Sequence, residues 1–157
     1  MPWGQLTVMW LHVFFAITWF GGTLFLLVVV SPALQSCDPS VAVQVGEQIG
    51  KRTQRVLAPA GVLTIIFGLL NATVFGPVRS WTFFGGSAYG ATLLIAIVLA
   101  VIIAVLGAVT GRVGTSIARA PLEDRIKLLR RITLLSGLSV VGFIFALTCM
   151  VLMRYGL

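Results

Sequence analysis

Four long stretches of the chain carry no charged side chain: residues 1–37, 56–78, 80–111 and 132–153 contain no Asp, Glu, Lys or Arg. Each reaches the roughly 20 apolar residues that an α-helix needs to cross the hydrocarbon of a bilayer. Backbone N–H and C=O groups find no water there, so each stretch is read as a helix that pairs them internally. A β-barrel would show shorter segments with period-two alternation. Residues 24–30 and 93–106 are apolar on every face and exclude that reading. The pattern predicts spans over about 6–34, 56–75, 88–109 and 130–153, an all-α integral membrane four-helix bundle forming one domain over residues 1–157.

The polar punctuation refines these spans. Ser31-Pro32 predicts a bend or an end to the first. Asp38-Pro39 reads as an N-cap followed by proline at the first helical position. Beyond it Val41, Val45, Ile49 and Val56 share one helical face, and Gln44, Glu47, Gln48, Lys51 and Arg55 the other. This predicts a short amphipathic cytoplasmic helix between the first and second spans, lying on the membrane surface; the alternative is a plain extension of the second span into water. Pro59 falls in the first turn of the second span and Gly76-Pro77 stops it. In the third span Ala88, Thr92, Ala96, Ala100, Ala104 and Ala108 recur every four residues, and Gly107 and Gly111 extend the row. Such small side chains let another helix approach closely, within the bundle first and otherwise in a homo-oligomer. Ala120-Pro121-Leu122-Glu123-Asp124 marks a helix start, with proline at its first position, ahead of the fourth span. Trp3, Trp10, Trp81, Phe83, Phe84, Tyr89 and Tyr155 are placed as an aromatic belt at one interface.

Composition adds the solvent. With 59% hydrophobic and 10% charged residues in 157, the chain holds more apolar surface than its own core could bury, so lipid must cover the rest. In a soluble protein the net charge of +7 would point to nucleic acid; here it points to orientation, and no nucleic-acid partner is expected. Lys51, Arg52, Arg55, Arg112, Arg119, Arg125, Lys127, Arg130 and Arg131 lie in the two connections on one side, and only Arg79 and Arg154 on the other. Positive residues stay in the cytoplasm, which puts both termini outside it and sets the basic connections against anionic lipid. The first span lacks a basic leader and is too long for a cleavable signal. Cys37 and Cys149 fall at opposite membrane faces, so no disulfide between them is expected.

Charge also limits the chemistry. The four charge-free stretches hold no Asp, Glu, Lys or Arg, which argues against ion-coupled transport by this chain alone. No phosphate loop, dinucleotide fingerprint, nucleophile elbow or Cys-x-x-Cys pair appears, and no catalytic residue is assigned. One constellation remains. His12, the sole histidine, sits about two turns inside the outer end of the first span. Met9 lies one turn from it, and the outer ends of the other spans carry Asn71, Tyr89, Cys149, Met150 and Met153. Imidazole, thiolate and thioether are copper ligands, and imidazole is the commonest haem ligand. The plainer reading is packing: methionine fills apolar cores, and a lone histidine bonds to a neighbour such as Asn71.

Trp10-Leu11-His12-Val13, Thr18-Trp19-Phe20-Gly21-Gly22 and Ser31-Pro32-Ala33-Leu34 in the first span resemble the CopD-like membrane proteins, and more distantly the HemJ protoporphyrinogen oxidases. The resemblance continues from Arg55 through Leu57-Ala58-Pro59-Ala60-Gly61 to Gly68; over the third and fourth spans it covers only hydropathy and the basic connection. It implies a bacterial inner-membrane bundle that binds copper with His12 as principal ligand and Met9, Cys149, Met150 or Met153 as soft partners, or that binds haem b with His12 as axial ligand. HemJ-like enzymes need a further histidine and a basic residue inside the membrane, and this chain has neither. A structural accessory subunit of a larger membrane complex, docking through the third span, is the remaining expectation.

Overall fold

The computed structural model describes residues 3–76, 78, 80, 86–117 and 120–155. Four long helices make up almost all of it: α1 (Trp3–Gln35), α2 (Pro39–Thr73), α3 (Ala88–Ile117) and α4 (Leu122–Arg154). Each contains a segment long and apolar enough to cross a membrane, and no strand occurs among the described residues. The protein is an all-α, four-span membrane bundle. Arg79, Trp81, Phe83, Phe84 and Arg119 lie outside the described residues.

The first helix ends close to its predicted boundary, and the second runs on where the sequence offered a separate helix. Proline at position 32 has no N–H, and its ring crowds the carbonyl four residues back. The helix responds by widening into a π turn over Leu26–Val30, closed by the Ser31 N–H bonding to the carbonyl of Leu26, and it continues to Gln35. α2 starts at the predicted cap, with Asp38 as N-cap and Pro39 next, but it then runs unbroken for 35 residues. The amphipathic segment is therefore the opening of α2 and not a separate helix. At 1.5 Å per residue α2 is about 50 Å long, well beyond the hydrocarbon thickness. Along its first turns Val41 and Val45 are exposed.

α1 packs mainly on α2 and α3 mainly on α4; α2 and α3 join the two pairs, and α1 touches α4 lightly. The central layer takes one buried residue from each helix: Trp19, Ala60, Ile103 and Phe143. The Trp19 ring meets Phe143 edge-on at 4.9 Å, a favoured aromatic geometry. Toward the end of the bundle where α1 begins, Ala72, Val78 and Leu93 pack together with Tyr89, Ile97 and Met153 around them. Trp3, Trp10 and Tyr155 are exposed as a belt requires, whereas Tyr89 joins this cluster. Outside the core, large apolar side chains such as Ile17 and Leu134 face outward, the arrangement lipid favours over water. Buried Thr64 and Ser139 satisfy their hydroxyls on carbonyls of their own helices, at 2.7 and 3.0 Å.

The small-residue row of α3 is only partly a seam. Ala96 is buried and Ala100 and Ala104 are half-buried, but Ala88 and Ala108 are exposed. A strict four-residue row drifts about 40° around the helix per step, so its ends cannot both face inward. The stripe that does face inward, Leu93, Ala96, Ala100 and Ile103, alternates steps of three and four as antiparallel bundles do. Ala100→Leu or Ala104→Leu should therefore cost about 1–3 kcal/mol, and exposed Ala88→Leu less than about 0.5 kcal/mol. Thermal unfolding in detergent reads the difference, and equal melting points would move the seam elsewhere.

Candidate functional site

The α1–α2 pair is zippered in strict antiparallel register. Gly4 faces Phe75, His12 faces Gly68, Trp19 faces Gly61, Gly22 faces Leu57 and Leu34 faces Gly46; in every pair the two residue numbers add to 79 or 80. Bulk on one helix meets glycine on the other. At two of these crossings the glycine is obligatory for the approach. A Cβ on Gly61 would lie 2.8 Å from the Trp19 ring, and one on Gly68 would lie 2.9 Å from Cε1 of His12. Trp19 and His12 are seven residues apart, as are Gly61 and Gly68, so both rings sit on one face of α1, two turns apart. His12, Trp19, Gly22, Leu57, Gly61 and Gly68 thus build this seam.

His12 is half-buried over Gly68, and its Nδ1 lies 2.9 Å from the carbonyl oxygen of Thr64. A carbonyl only accepts, so Nδ1 carries the proton and donates. In the neutral ring that leaves Nε2 with its lone pair. The partner foreseen in the sequence, Asn71, does not hold this bond; Asn71 sits nearly two turns beyond Thr64 on α2. A histidine pinned through Nδ1 to a backbone carbonyl, with Nε2 open, is the arrangement that orients imidazole toward a metal.

The sulfur donors divide. Met9 is 53% exposed, so α1 turns it away from the bundle and toward lipid. Cys149 is buried, and Met150 and Met153 are half-buried on α4, Met153 against the cluster of Ala72, Val78 and Leu93. The α1–α4 register follows from Trp19 and Phe20 against Phe143 and from Ser31 beside Thr133. Two turns outward from Trp19 is His12, and two turns outward from Phe143 is Met150. Register therefore sets His12 and Met150 at one level. Among the described residues no group of three His, Cys, Asp or Glu side chains converges. Cys37, exposed, lies at the far end of the molecule beyond α1.

A second feature has no counterpart in the sequence reading. Between the two helix pairs, at the basic end of the bundle, lies a cavity of about 540 Å³. A smaller chamber of about 270 Å³ shares Leu26, Gln54, Leu57, Thr110 and Ser136 with it and reaches inward to Trp19. The π turn of α1 forms part of its wall. The sequence hid it because its lining comes from all four helices, which only the fold brings together. No family model, curated protein or solved structure matches the chain.

Proposed function

We propose that this protein is a CopD-like membrane protein that binds and handles copper through Nε2 of His12, with Met150, and then Cys149 or Met153, as the soft partners. The observation that carries the reading is the Nδ1–H bond to the Thr64 carbonyl, which fixes the tautomer and leaves Nε2 as the donor. Imidazole with thioether sulfur favours Cu(I). Haem b, bound through the same Nε2 as axial ligand, is the second occupant that this donor atom admits. The competing reading is a structural accessory subunit, favoured by the way His12, Trp19, Gly61 and Gly68 complete the α1–α2 seam.

Metal analysis and an absorption spectrum of the purified chain separate the three. Copper without a Soret band, lost in His12→Gln and weakened at least about tenfold in Met150→Leu, is the expected result. Because Met9 faces outward, Met9→Leu should leave copper content unchanged. A Soret band lost in His12→Gln supports haem. Protein free of both after loading, with His12→Gln folding normally, leaves the structural subunit.

The setting we propose is a bacterial inner membrane with both termini outside the cytoplasm and the basic connections against anionic lipid, on the nine-to-two division of Lys and Arg. A periplasmic reporter fused after Leu157 should be active, and one inserted between α3 and α4 inactive. The reverse pair of results would invert the topology and put His12 in the cytoplasmic half.

A further inference from the structure

We infer that the cavity between the helix pairs is a binding site for one acidic phospholipid, with its phosphate at Arg55 and an acyl chain running inward between α1 and α4. The inference depends on the bilayer setting and not on a metal at His12, so it is testable on copper-free protein.

The size is right. The main chamber alone falls within the roughly 300–1,000 Å³ of ordinary ligand sites, and the contiguous inner chamber carries the space toward Trp19. The walls are divided as an amphiphile needs. Leu27, Val30, Leu57 and Ile132 supply apolar surface, while charged groups are confined to the stretch from Glu47 to Arg55 on α2. Of these, Lys51 is tied to Glu47 at 2.6 Å, which neutralises the one carboxylate among the lining residues. Arg55 forms no ion pair among the described residues. The uncompensated charge is therefore positive and belongs to the residue best suited to clasp a phosphate by paired N–H groups.

Gln54 lines both chambers, and its approach to α3 depends on Gly111, where a Cβ would come within 2.9 Å of Oε1. Its amide makes no hydrogen bond among the described residues, and it stands beside Arg55 as a neutral donor for the same headgroup. A small soluble anion would satisfy Arg55 but leave the apolar chamber to be filled by water with few partners, which is unfavourable. An acyl chain fills it. The light packing of α1 on α4 leaves the side of the bundle by which a chain could enter from the bilayer.

The test uses the full chain reconstituted with equal amounts of phosphatidylglycerol and phosphatidylcholine, then released and weighed by native mass spectrometry. One phosphatidylglycerol per chain should be retained several-fold over phosphatidylcholine. Arg55→Gln should lower that retention about tenfold, the loss of one charge-assisted contact, whereas Arg130→Gln, on an exposed residue outside the cavity lining, should leave it unchanged. Ser136→Leu and Thr110→Leu, which fill the passage between the chambers from α4 and α3, should each lower retention of either lipid. Equal retention of the two lipids, or equal losses in Arg55→Gln and Arg130→Gln, would overturn the site in favour of diffuse surface attraction. So would Arg55-dependent stabilisation by inorganic phosphate as large as that by the lipid, which would make the ligand a soluble anion.

Discussion

Trp19→Ala should destabilise the bundle by about 3–5 kcal/mol, the usual cost of emptying a buried tryptophan site. Trp19 is only 6% exposed and is the one buried residue of α1. It touches all three other helices, since Gly61 and Ala60, Ile103, and Phe143 surround it. Its loss removes the edge-to-face contact with Phe143 and opens the inner chamber further, because Trp19 already forms part of that wall. The reciprocal change, Gly61→Ala, drives a Cβ into the indole and should cost about 1–3 kcal/mol, offset in part by the better helix propensity of alanine. Trp19→Phe should relieve Gly61→Ala, giving a coupling energy well above the few tenths expected of independent sites. Additive losses in that cycle would mean that the two residues do not meet.

Gly68→Leu is the second large effect, and it separates architecture from chemistry. A leucine there cannot coexist with the imidazole, whose Cε1 lies 2.9 Å from the position of a Cβ. Overpacking costs about 1–3 kcal/mol, and displacing His12 breaks its bond to Thr64, a further loss of about 1 kcal/mol. Every donor atom proposed for copper remains in the chain. If His12 acts as a ligand, Gly68→Leu loses copper even where the protein still folds, and Gly68→Ala, with a smaller clash, loses part of it. Copper content that survives Gly68→Leu undiminished would show that ligation does not need the pinned ring.

The spans were legible because charge is excluded from hydrocarbon at high cost, and the four charge-free stretches mark them directly. Asp38-Pro39 likewise announced the start of α2. What followed could not be resolved locally: Val41 and Val45 form the same apolar face whether the segment lies on the membrane or continues α2, and only the unbroken hydrogen-bond ladder decides. Pro32 announced a bend or an end, but the sequence does not reveal that a π turn will absorb it. The pairing of His12 with Gly68 and Trp19 with Gly61 was half visible as two equal spacings of seven. The register joining them is a property of the fold, and so is the choice of Thr64 over Asn71 as the partner of His12. The cavity was invisible for a similar reason, since Gln54, Thr110 and Ser136 each look like ordinary helix residues until three helices bring them together.

The presence of a single histidine makes the central claim directly measurable. Histidine labelled with ¹⁵N gives two ring resonances from this chain, one from each nitrogen of His12. Without metal, Nδ1 should appear protonated and Nε2 unprotonated; on adding Cu(I), Nε2 should shift while Nδ1 keeps its proton on the Thr64 carbonyl. A proton on Nε2, or an Nε2 resonance that responds to neither Cu(I) nor haem, would contradict the ligand role and leave His12 as part of the seam.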